Sequence, residues 1–305
     1  MFDTRYPAGQ RRLFTNRRRE LNRLNYLAEE LTHGRPARLG LFGPRRIGKS
    51  WLIKEFIHRH RVATTVVPAY VNFENICTDP ENFALKYVGW VTFWLLTRGD
   101  GRIEDFLDPS RLLVQASEYR ALQNELLEIE RVLGSTDVNR NTLLNLAFAF
   151  PEKVARSLGV KLLLFLDEFQ DLADLSAYKG VRNVVGVLRA HTDTENVGYV
   201  LAGSLVSAMR RLIADAGSPL FLQFDQHALT PFTREDTDEL TRKIIPDVID
   251  HSILGAVYRY SSGYPYYIVQ IVRRMRLLHR LDHLPLEEDL VKQAFMVETL
   301  APTGG

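Results

Sequence analysis

Residues 38–51, RLGLFGPRRIGKSW, set two glycines around four residues and follow them directly with a lysine and a serine. No other stretch limits the fold of this chain so strongly. The apolar RLGLF has the length and composition of a buried strand. A loop that turns its backbone amides inward needs glycine where a side chain would clash or where φ is positive. The residues after it must open a helix, because free amides and the helix dipole at that end hold an anion. A strand, a tight loop and a helix in this order commit the chain to an α/β fold. The loop itself (Gly43, Pro44, Arg45, Arg46, Ile47, Gly48, Lys49 and Ser50, with Trp51 at its exit) reads as a phosphate cradle. Lys49 is expected to reach the β- and γ-phosphates and the Ser50 hydroxyl to ligate Mg²⁺. An ordinary glycine-rich turn would require neither the strand before it nor the helix after it.

The rest of the chain repeats the alternation. Residues 17–33 carry leucines at three- and four-residue spacing among charges and read as an amphipathic helix. Residues 49–60 form the helix after the loop. Residues 64–73 are a second strand, weakened in its middle by Pro68. Residues 81–97 are an aromatic-rich helix, and 102–157 are mostly helical with a polar break at 134–141. VKLLLFLDEF is a buried strand, residues 181–191 a helix, VGYVLAG a strand, residues 205–213 a helix, and HALTPF a last strand. Beyond Thr233 only helical periodicity remains. The pattern is that of a parallel sheet covered on both faces, spanning residues 1–233 with a helical insert at about 101–157, and then a smaller helical domain over 234–305.

A bound phosphate alone does no chemistry. Hydrolysis needs Mg²⁺ held from a second side and a water activated in line. Asp167 and Glu168 follow the uninterrupted apolar run 162–166. Two carboxylates at the end of a buried strand are costly unless paired or metal-bound. Asp167 is expected to complete the Mg²⁺ shell and Glu168 to orient and deprotonate the water. Ser204 ends the apolar VGYVLAG strand, at the carboxyl edge where ligands of open α/β sheets bind. It is expected to hydrogen-bond the γ-phosphate or the water, or to cap the next helix.

These motifs together resemble the archaeal-type ATPase family of P-loop NTPases, close to the STAND and AAA+ ATPases. LFTNRRREL (residues 13–21) resembles the family's opening box, with Asn16 where glycine is usual. GPRRIGKS is the phosphate loop. LLLFLDEFQDL is similar to the signature built on Asp167, Glu168 and Gln170. SSGYPYYIVQ (residues 261–270) resembles the glycine-proline motif of the lid. The resemblance implies a five-stranded sheet in the order 5-1-4-3-2 followed by a helical lid. It also implies ATP and Mg²⁺ as ligands, with adenine between Arg17 and the lid residues Gly263 and Pro265. Members often carry an arginine before the last strand. Gln223 stands there in this chain, with Arg210 and Arg211 as the nearest substitutes.

Composition narrows the remaining classes. The 305 residues carry a net charge of +2, too mild to argue for a nucleic-acid surface or an anionic membrane. Cys77 is the sole cysteine, so no intrachain disulfide forms and a reducing, cytoplasmic setting is expected. The first residues lack the apolar core of a secretory signal. No run is long enough to span a bilayer. Two functional expectations follow: an ATP-hydrolysing conformational switch, slow by itself, or a nucleotide-regulated DNA-associated module like an initiator. Partners for the first are ATP or ADP together with a protein or a second copy, and the 101–157 insert is either the docking surface or a hairpin packed on the core.

Overall fold

The computed structural model describes residues 8–62, 65–246 and 249–300. The expected strand start at Thr64, the first seven residues and the tail beyond Leu300 lie outside them.

Five parallel strands form one sheet in the order β2-β3-β4-β1-β5, the expected 5-1-4-3-2 read from the other edge. They are β1 (Arg38–Phe42), β2 (Val66–Asn72), β3 (Lys161–Asp167), β4 (Val197–Gly203) and β5 (Asp225–Ala228). β3 and β4 are buried almost throughout, which explains their unbroken apolar sequences. Pro68 is tolerated because β2 is an edge strand, where a missing donor is harmless. The last strand is shifted from expectation. It ends at Ala228, not Phe232, because β5 pairs Leu39 to Phe42 with Asp225 to Ala228 and only the Leu229 amide extends the ladder, to the Phe42 carbonyl.

Thirteen helices accompany the sheet among the described residues. Before β2 come α1 (Ala8–Arg11), α2 (Arg18–Thr32) and α3 (Lys49–His60). Between β2 and β3 lie α4 (Pro80–Thr97), α5 (Pro109–Gln115), α6 (Arg120–Leu133) and α7 (Arg140–Leu158). Next come α8 (Val184–Arg189), before β4, and α9 (Val206–Ile213), after it. The last four are α10 (Arg234–Ile244), α11 (His251–Ser261), α12 (Pro265–Leu281) and α13 (Glu288–Leu300). Caps set several starts. Asp79 accepts from Asn82 ahead of α4, Asn139 from Thr142 ahead of α7, and Thr233 and Asp236 form a reciprocal capping box at α10, each satisfying amides that the first turn leaves open. α8 is shorter than expected because Asn183, in the left-handed region, caps it. A 3₁₀ stretch, Phe169–Ala177, follows β3, which stops at Asp167, two residues short of the end of the expected strand VKLLLFLDEF.

The hairpin of α6 and α7 lies against the sheet side of the molecule. α7 packs on α4, α8, β3 and β4, and Leu122, Leu126 and Ile129 of α6 are buried in the same core as the strands. Its inner face is therefore structural. The buried apolar residues form two clusters. One surrounds the sheet; the other, from Phe232 to Ala294, lies among α10 to α13.

Candidate phosphate site

The register brings three sequence signals to one edge of the sheet. Phe42 lies beside Gly203, and Asn72 beside Asp167. The phosphate loop leaves β1, Asp167 ends β3, and Ser204 follows β4. This is the carboxyl edge, where α/β sheets bind ligands.

The loop is held by its own sequence. Gly48 has φ 99°, a region that glycine enters at no steric cost. A Cβ on Gly43 would approach Ile47 to 2.8 Å. Arg46 also has positive φ, at 71°. Its guanidinium stacks 4.5 Å over the Tyr266 ring and donates to the Tyr267 hydroxyl at 2.9 Å. The strained turn is thus braced by two α12 side chains. Lys49 is 5% exposed and folds back on the loop, donating to the Gly43 carbonyl at 2.6 Å and to the Pro44 carbonyl at 3.3 Å. Burial pulls its pKa down, opposed by the carboxylates of Asp167 and Glu168. A partly desolvated ammonium at the mouth of such a loop is an anion receptor waiting for a better partner than two carbonyls.

Asp167 is 1% exposed. Its Oδ2 accepts from the Ser50 hydroxyl at 2.8 Å and from the Tyr70 hydroxyl at 2.7 Å; its Oδ1 accepts from the Glu168 amide at 3.1 Å. Two neighbouring ligands of an octahedral Mg²⁺ at its usual 2.0–2.1 Å distances sit about 2.9 Å apart. The hydroxyl and carboxylate oxygens already have that spacing. Among the described residues no three His, Cys, Asp or Glu side chains converge as a metal cage. Two oxygen ligands with room for phosphate and water are what Mg²⁺ asks of a nucleotide site, and the donor set fits the ion.

Glu168 has φ 49°, which swings its side chain towards β4. Its Oε2 accepts from the Ser204 hydroxyl at 2.7 Å, the Ser204 amide at 3.2 Å and the Gln170 amide group at 2.7 Å. Burial alone would raise this carboxyl's pKa. The donors from Ser204 and Gln170, with the charge of Lys49, outweigh it and hold it low. Ser204 is therefore bound to Glu168 and is not the cap of α9, whose N-cap residue Leu205 makes no side-chain bond.

A cavity of about 630 Å³ opens beside the loop, a size suited to a nucleotide. Arg17, Arg45, Arg46, Ile47, Gly48, Lys49, Ser50, Trp51 and Glu168 line it, together with Pro265. Arg17 is nearly buried. Its Nη2 donates to the carbonyls of Ile47 at 3.0 Å and Thr230 at 2.9 Å, and its guanidinium lies 4.9 Å over Phe232. Gly263 does not line the cavity. Its φ is 72°, and a Cβ there would meet the Phe232 carbonyl at 2.3 Å; it serves a tight backbone crossing, with the Phe232 amide donating to the Gly263 carbonyl at 2.8 Å. Gln223 is remote from the loop, accepting from Arg38 at the opposite end of β1 at 3.3 Å. Arg210 and Arg211 are exposed on α9 and do not reach the cavity wall.

Sequence reading passed over several lining residues. Tyr266, Val269, Gln270 and Arg273 all face the cavity. Their three- and four-residue spacing along α12 was a readable stripe. Tyr70 had no local signal, since only the pairing of β2 with β3 brings it to Asp167.

With this geometry in place, known proteins supply the class. A family described as an ATPase domain predominantly from Archaea matches residues 14–271. The chain belongs to that family, and its fold is that of a P-loop ATPase. No curated protein matches it. Among solved structures it is similar to a Walker-type ATPase of Pyrococcus abyssi, with a TM-score of 0.59 at 16% identity over 94% of this chain and 72% of that one. It is also similar to the ORC2 protein of Aeropyrum pernix in its ADP form, with a TM-score of 0.57 at 17% identity over 96% and 74%. Cdc6p of Pyrobaculum aerophilum gives 0.57 at 11% identity over 96% and 70%. At such identities the likeness is one of fold. No helix among the described residues is long and apolar enough to cross a membrane.

Proposed function

We propose that this chain is a Mg²⁺-dependent ATPase that works as a conformational switch, its core at residues 1–233 and its lid at 234–305. The observation that carries this reading is the Ser50–Asp167 pair at an octahedral spacing beneath a glycine-bounded loop. Gly43 to Ser50 wrap the phosphates and Lys49 leaves its loop carbonyls for the β- and γ-oxygens. Ser50 and Asp167 hold Mg²⁺, which when bound neutralises charge on the phosphates. Glu168 accepts the proton of the attacking water, and Ser204 orients Glu168. A carboxylate with three donors on one oxygen is a weak base, so turnover is slow until Glu168 is released. Gln223 has no charge to offer and no cation of α9 reaches the cavity, so an arginine for the γ-phosphate comes either from Arg273 of α12, which faces the cavity, or from a protein partner or a second copy.

The lid reports on the loop through Arg46 with Tyr266 and Tyr267, and through the opening box. Lys243 of α10 donates to the Phe14 carbonyl at 2.8 Å and the Thr15 hydroxyl at 3.0 Å, and Asn16 donates to Asp236 at 2.6 Å. Phosphate entry that shifts Arg46 or the box has a direct route to α10 and α12. The alternative, a DNA-associated module, draws on the fold shared with ORC2 and Cdc6p. The net charge of only +2 gives little excess positive charge for a phosphate backbone.

Two substitutions test the reading. Lys49→Ala is expected to weaken ATP binding by tenfold or more, about 1.4 kcal/mol. Glu168→Gln is expected to keep Mg·ATP bound and to lose turnover by about 10²-fold or more. ATP affinity within about threefold of the parent in Lys49→Ala, or an undiminished rate in Glu168→Gln, removes the assignment.

A further inference from the structure

We propose that Tyr70 is a positioning residue for the Mg²⁺ site, holding the Asp167 carboxylate where the ion needs it. This rests on the reading of Ser50 and Asp167 as the Mg²⁺ ligands.

The strand register carries the argument. Asn72 of β2 pairs with Asp167 of β3, and Tyr70 pairs with Phe165. Side chains alternate along a strand, so Tyr70 lies on the same face as Asp167, one diagonal step back. A phenol spans that step, and its hydroxyl reaches Asp167 Oδ2 at 2.7 Å. No shorter side chain at this position would. Tyr70 is only 2% exposed, and its own carbonyl accepts from the Trp94 indole of α4 at 2.8 Å. The ring is thus fixed by strand, helix and core before any ligand arrives.

The carboxylate needs such a hold. Asp167 is the last residue of β3, and the backbone turns left-handed at Glu168 immediately after it. The two side-chain donors on Oδ2 are Ser50 and Tyr70. Ser50 has one hydroxyl, which must also face the ion. Tyr70, like Asp167, is buried beneath the cavity and is not among the residues that line it. Outer hydrogen bonds of this kind commonly change metal affinity by 10–100-fold.

The test uses the full chain and a fluorescent ATP analogue, with binding read as Mg²⁺ is titrated in. Tyr70→Phe keeps the ring and removes only the hydroxyl. The expected result is a rise of about tenfold in the half-saturating Mg²⁺ concentration, with unchanged analogue affinity when Mg²⁺ is chelated and an essentially unchanged melting midpoint. A purely structural tyrosine would move the melting midpoint and leave the Mg²⁺ titration alone; a half-saturation within twofold of the parent overturns the proposal. Asp167→Asn, run in parallel, separates the two levels. If it shifts the Mg²⁺ titration and Tyr70→Phe does not, only the role of Tyr70 falls. If Asp167→Asn itself leaves the titration unmoved, the Mg²⁺ site has been misplaced and the role of Tyr70 falls with it.

Discussion

Arg17 separates a structural strut from a ligand contact, and its removal can be worked out in advance. The side chain is 5% exposed. Two bonds near ideal length run to the carbonyls of Ile47 and Thr230. A hydrogen bond from a charged donor contributes roughly 1.5–3 kcal/mol, and a buried carbonyl left alone costs about 1–3. The Glu20 contact, at 3.4 Å, adds less than about 1 kcal/mol. Arg17 borders the cavity, so water replaces part of what is lost and the lower end applies. Arg17→Ala should therefore destabilise the nucleotide-free chain by about 3 kcal/mol. At about 2 °C per kcal/mol for a chain of this size, the melting midpoint falls by about 6 °C. Arg17→Lys keeps the charge but lacks the fork, so it reaches one carbonyl and loses about half as much. The assay is urea and thermal unfolding without nucleotide. A loss under about 1 kcal/mol in Arg17→Ala, with ATP affinity falling instead, would refute the strut and return Arg17 to the adenine contact expected from sequence.

Two further outcomes are accessible to simple measurements. Glu168 has its folded pKa held below the usual carboxyl range, so its contribution to stability is present above about pH 4.3 and is lost as pH falls through the folded value. Ser204→Ala should therefore be less stable than the parent at pH 7, with the gap closing on acidification; a gap that widens in acid contradicts the assignment. Burial, with Asp171 and Asp174 nearby, pushes the Cys77 thiol well above its ordinary value. A disulfide reagent at pH 8 should label the folded chain at least tenfold more slowly than the urea-unfolded chain, and equal rates would show that the thiol is open.

The loop was legible because its signal is local. Gly43, Gly48, Lys49 and Ser50 each meet a requirement set within eight residues, and strand and helix stand where they must. Asp167 and Glu168 were legible because two carboxylates on an apolar run need an explanation. The sheet order came from family resemblance, since nothing in a strand's own residues names its neighbour. The same limit hid Tyr70. HALTPF misled for a different reason. Only its first residues pair: His227 and Ala228 lie in the ladder and the Leu229 amide closes it, while the Leu229 side chain enters the core around the sheet and Phe232 joins the cluster of α10 to α13. Gly263 looked like a ligand contact, whereas its lack of a Cβ answers to the Phe232 backbone. Asn16 shows the converse. It stands where relatives carry glycine, and its φ of 55° is one that asparagine tolerates better than most residues.

The edges of the sheet limit how copies of this chain could join. β2 is buried along nearly its whole length and carries a proline, which blunts strand addition on that side. The other edge is β5, four residues long. A parallel strand turns every second residue outward, so β5 offers a visitor about two backbone bonds, roughly 2 kcal/mol in all. Association costs at least about 4 kcal/mol in lost freedom before any ordering is counted. A continuous intermolecular sheet is therefore closed to this protein, and any assembly that brings an arginine to the phosphates must be built from side chains on helices and loops. Such a contact can form and release with each nucleotide cycle, which a backbone ladder would resist.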